Sequence, residues 1–350
     1  MKKEGKQHIT PESDGQASSR KEDHITMAFQ SASGANEVDP RFSYEPMLSG
    51  HATKGIDLSR KVCGLTMNYP IWISSMTGGT EKARIINNNL AKLAGEYGLG
   101  MGLGSCRQLL YEDRRLSEFD VKKLMPDSPL LINLGIAQIE ELIDKKDTAL
   151  IKSLIDKLSA DGLIIHINPL QEWLQPEGDR IKGAPIELVA QILEEADYPI
   201  IVKEVGQGFG RASLEALLAL PLEAVDLAGF GGTNFSKLEL LRSDEIRQQS
   251  FGGVLRVGHT CEEMIDLINE VRTSNPSAIQ CKQIIISGGV KGFLDGYYHM
   301  QRCHMSNLYA QASGFLRHAM DYSELKKYLE LEIEGLKMAH ALLRVKENKK

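Results

Sequence analysis

Eight short apolar runs, each closing on small or polar residues, constrain the fold of this chain more than any other feature. They are "IWISSMTGG" (71–79), "LGMGLGS" (99–105), "LLINLG" (130–135), "LIIHIN" (163–168), "IIVKEVGQG" (200–208), "AVDLAGFGGT" (224–233), "IIISGG" (284–289) and "LYAQASG" (308–314). Continuous apolar strands of this kind suit a parallel sheet covered on both faces. Between them run stretches with helical spacing, among them "EKARIINNNLAKLAGEYG", "TALIKSLIDKLSADG" and "APIELVAQILEEA". Eight strands, each followed by a helix, predict an α/β fold, the (β/α)8 or TIM barrel of about 250 residues. A doubly wound sheet is the alternative. The polar endings shared by all eight runs favour the barrel, whose functional rim lies at the strand C-termini.

The segment "FGGVLRVGH" (251–259) is too short and glycine-broken to count as a ninth strand and reads as a loop. The stretch "SELKKYLELEIEGLKMAHALLRVK" reads as a long amphipathic C-terminal helix that closes the barrel or meets a partner subunit. Residues 1–19 are polar and read as a disordered lead-in, leaving one barrel domain over 20–350 with an N-terminal extension.

Composition narrows the function classes. A net charge of −6 at pH 7 leaves no basic excess to track phosphates, which argues against a nucleic-acid or membrane-surface binder. The five cysteines are scattered, without CxxC or a His pairing of zinc spacing, and read as reduced thiols. The N-terminus has no apolar signal core, and no run approaches the roughly 20 apolar residues of a membrane span. The expectation is a cytoplasmic protein.

Several residues could carry chemistry. Six strand ends are glycine-rich: "SSMTGGT", "GLGSCR", "NLG", "VGQGFG", "FGGTNF" and "SGGVKG". Plain turn geometry is one reading, since glycine supplies positive φ. Six on one rim, together with the loops after strands 7 and 8 ("IIISGGV" and then "LYAQASGFL"), the usual phosphate-binding pair in such barrels, point to a phosphate-bearing cofactor. Lys203 lies inside the apolar run "IIVKEVG", where an unpaired charge costs several kcal/mol. An ion pair with Glu204 is weakened because neighbouring strand residues face opposite ways. Pointing inward, Lys203 would meet an anionic ring or phosphate, with Asn133 and Thr233 as polar partners beside it.

The densest polar stretch is "HINPLQEWLQPEGD" (166–179). Strand alternation puts His166 and Asn168 on one face, with Gln171 and Glu172 on the loop above. Glu172 among oxygen neighbours suits Mg2+ held through a substrate phosphate. No Ser-His-Asp arrangement is visible, and "RKEDHI" (20–25) is a small basic patch or a solvated helix start.

In order, "RKEDHI", "SSMTGG", "MGLGSCR", "NLG", "HINPLQE..QPEGD", "IIVKEVG.G", "FGGTNF" and "SGGVK" resemble the blocks of type 2 isopentenyl diphosphate isomerase, from about residue 20 to 320. The resemblance implies a barrel dependent on flavin mononucleotide (FMN) that interconverts isopentenyl and dimethylallyl diphosphate with Mg2+ and reduced flavin. NADPH or another reductant would reduce the flavin, and the family implies a homo-oligomer, tetramer or octamer. Carried over block by block, it places Ser75, Met76, Thr77, Gly78, Ser105, Asn133, Lys203 and Thr233 at the flavin. Gly288, Gly289, Lys291, Gln311 and Ala312 would hold its phosphate. Arg20, Lys21, Ser105 and Arg107 would bind the substrate diphosphate, His166, Asn168 and Gln171 would line the pocket, and Glu172 would ligate Mg2+. Departures are Cys106 for the usual Gln, Phe235 for Trp, Lys291 for Arg, and "LYAQAS" for a Gly/Ala-Arg-Pro run.

Moving a double bond in such a substrate means protonating an unactivated alkene carbon and deprotonating its neighbour, beyond the reach of ordinary side chains. The resemblance therefore assigns the acid–base role to the reduced flavin, with no side chain assigned to it. Two other readings remain open on the residues alone. One is an FMN-dependent oxidoreductase of the hydroxyacid-oxidising type, which needs a rim His and an Arg for the substrate carboxylate. The other is a non-catalytic flavin-binding barrel.

Overall fold

The computed structural model describes residues 15–48, 50–51, 56–75, 78 and 80–346. The chain divides into two units, residues 1–42 with 346–350, and residues 43–345. The smaller unit holds helix Gly15–Met27 and an Asp39–Arg41 ion pair at 2.7 Å. The helix takes in residues 15–19, which the sequence reading gave to the lead-in, and residues 20–42 group with it and not with the barrel.

The larger unit is a closed barrel of eight parallel strands. They are β1 (Ile71–Ile73), β2 (Gly100–Gly102), β3 (Leu130–Gly135), β4 (Gly162–Ile167), β5 (Ile200–Glu204), β6 (Ala224–Asp226), β7 (Ile284–Ile286) and β8 (Asn307–Gln311). Each coincides with one of the eight apolar runs, β4 and β8 beginning one residue earlier. Neighbours pair in sequence order, and β8 closes on β1.

The barrel is filled by Trp72, Leu131, Ile164, Ile201, Ala224, Ile285, Leu308 and Ala310, all essentially sealed from solvent. Val62 and Met67 join this cluster from a hairpin, Arg60–Val62 paired antiparallel with Leu65–Met67. Its two-residue turn has Cys63 and Gly64 both at positive φ, 52° and 78°, the conformation that matches strand twist. The sequence reading did not single out this hairpin.

Helix Glu81–Tyr97 follows β1, started by the Thr80 hydroxyl accepting from Ala83 N–H and ended by Gly98 at φ 67°. After β2 the expected helix is absent. Three single 3-10 turns replace it, Arg107–Leu109, Leu116–Glu118 and Lys122–Leu124. The apolar residues there, Leu109, Leu110, Phe119, Val121 and Met125, are buried at spacings no single helical face can satisfy. Phe251 ends helix Glu245–Phe251, and residues 252–259 form a loop with one 3-10 turn, Val254–Arg256, in place of a ninth strand, as expected. Helix Tyr322–Leu342 buries Leu325, Leu329, Ile333, Leu336 and Ala339 and packs on helix Phe293–Arg302. Of the two roles read for it, closing the barrel wall accounts for this face.

Gly100 shows how tightly the interior is filled: a Cβ built there would lie 2.1 Å from Cζ3 of Trp72. Gly100→Ala should therefore lower stability by about 1–3 kcal/mol through overpacking, read as a fall in the urea midpoint. Trp72→Phe in the same chain should recover part of the loss; strictly additive effects would show that the ring is not the obstacle.

Candidate functional site

Strand register decides which polar residues meet inside the barrel. Gly135 pairs with His166, His166 with Lys203, and Lys203 with Asp226. Lys203 shares the inward face of β5 with Ile201, a member of the interior cluster. Its ammonium donates to the Glu204 main-chain carbonyl at 2.7 Å. The Glu204 carboxylate is engaged elsewhere, accepting N–H from Gly206, Gln207 and Gly208 at 2.6, 2.6 and 2.9 Å. The Lys203–Glu204 side-chain pair is therefore not what holds the lysine.

Lys203 lines a cavity of about 310 Å3 at the strand C-termini, with Ser75, Thr233, Phe235, Gly288, Gly289, Lys291, Gln311 and Ala312. Eight residues assigned to the cofactor by resemblance thus surround one space. Gly288 and Gly289 adopt φ of 89° and 74°. A Cβ on Gly288 would lie 2.0 Å from the Gly229 carbonyl oxygen, so backbone alone fits there. The Ser75 hydroxyl is buried without a hydrogen-bond partner, which leaves a polar atom for a bound group to satisfy. Gln311 is buried and held from behind by the Tyr328 hydroxyl, donating at 2.6 Å. Arg317 and Tyr328 also line the cavity; they lie past the strand 8 run and carried no signal in the sequence.

Three assigned residues lie outside that lining. Gly78 sits with Ser105, whose carbonyl oxygen would be 3.5 Å from a Cβ there, and Ser105 is exposed. Asn133, expected beside Lys203, is bound to His166 instead, with Oδ1 2.7 Å from Nδ1; two-residue periodicity places a side chain on a face but not against a partner. Met76 and Thr77 lie outside the described residues. Arg20 and Lys21 are exposed on helix Gly15–Met27.

A second group forms on the rim after β4. Gln171 and Glu172, expected on a loop, lie on a short helix, Pro169–Leu174, started by proline at its first position. Asn168 donates to Glu172 Oε1 at 2.8 Å and to Gln171 at 3.3 Å. Glu172 Oε2 accepts the Asp179 N–H at 2.8 Å. The Asp179 carboxylate pairs with Arg107 at 2.9 Å and accepts from Gln138 at 3.2 Å. Gln138 and Asp179 were missed because their partners are 41 residues apart. The two groups join at Gly135, where a Cβ would meet both Gln138 Oε1 and His166 Nε2.

Among the described residues no group of three His, Cys, Asp or Glu is placed to hold a metal. Glu172 could do so only with oxygens supplied by a ligand. All five cysteines are free. Cys106 is sealed and its thiol pushed up to about 12 by burial, which leaves no thiolate for nucleophilic chemistry. No helix among the described residues is long and apolar enough to cross a membrane.

The backbone resembles that of other α/β barrels. A mandelate oxidase structure with an FMN adduct matches at TM-score 0.55 and 11% identity, covering 87% of this chain and 88% of that one. The flavin-binding domain of baker's yeast flavocytochrome b2 matches at 0.58 and 12%, covering 86% and 72%. At such identities the likeness establishes the class, a TIM barrel, and nothing finer. No protein-family model matches the chain. Individual relatives do. The isopentenyl-diphosphate delta-isomerase of Rickettsia felis is 33% identical over 334 residues, 91% of this chain and 90% of the relative. That of a Nostoc species is 36% identical over 292 residues, 82% and 80%. The chain belongs to the isopentenyl-diphosphate delta-isomerase family, and its motifs are those of the type 2 enzymes.

Burial first, and then the Lys203 charge, pushes the His166 imidazole down to about 4. The unfolded chain takes up this proton near pH 6.5, whereas the folded chain resists it until about pH 4. This contribution is thus complete above pH 6.5 and lost as the pH falls towards 4, on the order of 3 kcal/mol at most. His166→Gln should lack that loss, so urea unfolding of parent and variant should converge towards acid pH. A constant difference from pH 7 to 4 would show that His166 titrates normally in the fold.

Proposed function

We propose that this protein interconverts isopentenyl and dimethylallyl diphosphate, with FMN in the Lys203 cavity and Mg2+ at Glu172. The observation that carries this reading is the similarity, over 91% of the chain, to the isopentenyl-diphosphate delta-isomerase of Rickettsia felis. The glycine cradle and the unpartnered Ser75 hydroxyl support a bound phosphate and ring.

When bound and reduced by NADPH or another reductant, the flavin supplies an electron-rich ring that exchanges a proton with the isoprenyl carbons without net redox change. Gly288, Gly289, Lys291, Gln311 and Ala312 would hold its phosphate, and Ser75 and Thr233 would bond its polar edge. Lys203 would set a cation against the ring. Gly78, Ser105 and Asn133 would act from outside the cavity lining.

On the substrate side, Arg107 would bind the diphosphate, with Asp179 fixing its orientation. Glu172 and the diphosphate oxygens would share the metal. Asn168, which donates to Glu172, would hold it in place, and Gln171 and His166, the latter kept neutral, would line the pocket beside the alkene. The site would thus bind, orient and exclude water, which is most of what such a reaction asks of the polypeptide.

The purified protein should be yellow, with roughly one FMN per chain, inactive when oxidised and active after anaerobic reduction. Many turnovers should leave the flavin spectrum reduced. One electron pair consumed per product would instead identify a hydroxyacid-type oxidoreductase, and retained flavin without turnover a non-catalytic barrel.

Glu172→Gln, which keeps shape but removes the carboxylate, should abolish most activity while FMN content stays at the parent level. Near-normal activity at low Mg2+ would remove Glu172 from the metal site. Lys203→Ala should lose flavin on gel filtration; full retention would return the lysine to a structural role.

A further inference from the structure

Asp226 is a carboxylate inside an apolar barrel, and neither the family blocks nor the proposed site uses it. It is 1% exposed, lies on the inward face of β6 with Ala224, and is the register neighbour of Lys203. The Ser287 hydroxyl donates to its Oδ1 and accepts the Ala228 N–H at 2.9 Å. That hydroxyl is therefore locked towards the carboxylate. Ser287, Ala228 and Lys203 all line the cavity, whereas Asp226 does not. The carboxylate is thus bonded to one cavity-lining residue, Ser287, and in register with another, Lys203. A buried carboxylate costs several kcal/mol unless its partners compensate it, and an apolar residue of similar volume would avoid that cost.

We infer that Asp226 is a positioning residue which, through Ser287 and Lys203, sets the net charge beside the cavity and so the reduction potential of a flavin held there. The inference rests on the flavin reading above. A reduced flavin carries more negative charge than an oxidised one. An anion beside the cavity, offsetting the Lys203 cation, disfavours the reduced form and keeps the potential low. Burial raises the Asp226 carboxyl from its ordinary range while the Lys203 cation and the Ser287 bond oppose that rise.

The test is Asp226→Asn, which keeps the volume and the acceptor for Ser287 but removes the charge. Anaerobic titration of the FMN-loaded protein against reference dyes should show the variant favouring reduced over oxidised FMN about tenfold more than the parent. For a two-electron couple that is a positive shift of about 30 mV. Ser287→Ala, which strips the carboxylate of its hydroxyl and so favours its neutral form, should shift the potential the same way by less.

An unchanged potential in Asp226→Asn at full FMN content, even with a lowered melting temperature, would overturn the inference and leave Asp226 a packing residue. If Asp226→Asn does not fold, Ser287→Ala decides alone, and an unchanged potential there is equally fatal. A parent protein that binds no FMN would refute the flavin reading instead, a result distinguishable at the first step.

Discussion

An ammonium group inside a closed barrel must be answered by its neighbours or it destabilises the fold by several kcal/mol, and the site is arranged around how Lys203 is answered. Register puts His166 on one side and Asp226 on the other. The histidine stays neutral, since burial and the adjacent cation both oppose a second positive charge. The carboxylate beyond it is fixed by Ser287. Glu204, next in the chain, turns outward and collects three loop N–H groups, so its charge stiffens the loop after β5 while only its carbonyl serves the lysine.

The same geometry separates the site into two chemical neighbourhoods. On the cavity side lie cations, glycines and hydroxyls suited to a planar anion-bearing group. On the rim side lie carboxylates and amides tied to one another, Asn168 to Glu172, Glu172 to Asp179 and Asp179 to Arg107. A hard cation with a diphosphate suits the second arrangement, since both bring charges that such groups balance. Gly135 stands between the two because any larger residue would collide with His166 and Gln138 at once. The barrel is shared with a mandelate oxidase and a flavocytochrome b2 domain at little more than a tenth identity. What distinguishes this chain is therefore the set of side chains on the rim, and fold alone would not have told them apart.

Much of this was readable in the linear sequence. Burial on both faces leaves a compositional mark on a strand, so all eight were located from apolar runs and their small or polar ends. Period-two alternation was enough to turn Lys203 and His166 inward. The helix expected after β2 failed because strand-helix alternation was extended over residues whose apolar spacing suits separate short turns. The Cys63–Gly64 hairpin went unnoticed since strands of three residues carry little pattern.

Local chemistry, then, settled the strands, their inward faces and the glycine positions, because each depends on residues within a few places of one another. Partnership was a different matter. Asp226 and Ser287 are single polar letters in apolar runs, 61 residues apart, and Arg107 and Asp179 are 72 apart. Barrel closure and strand register bring such residues together, and neither is encoded in the neighbourhood of the residues themselves. That is why the lysine could be placed from its own strand, whereas the carboxylate beside it emerged only from the closed fold.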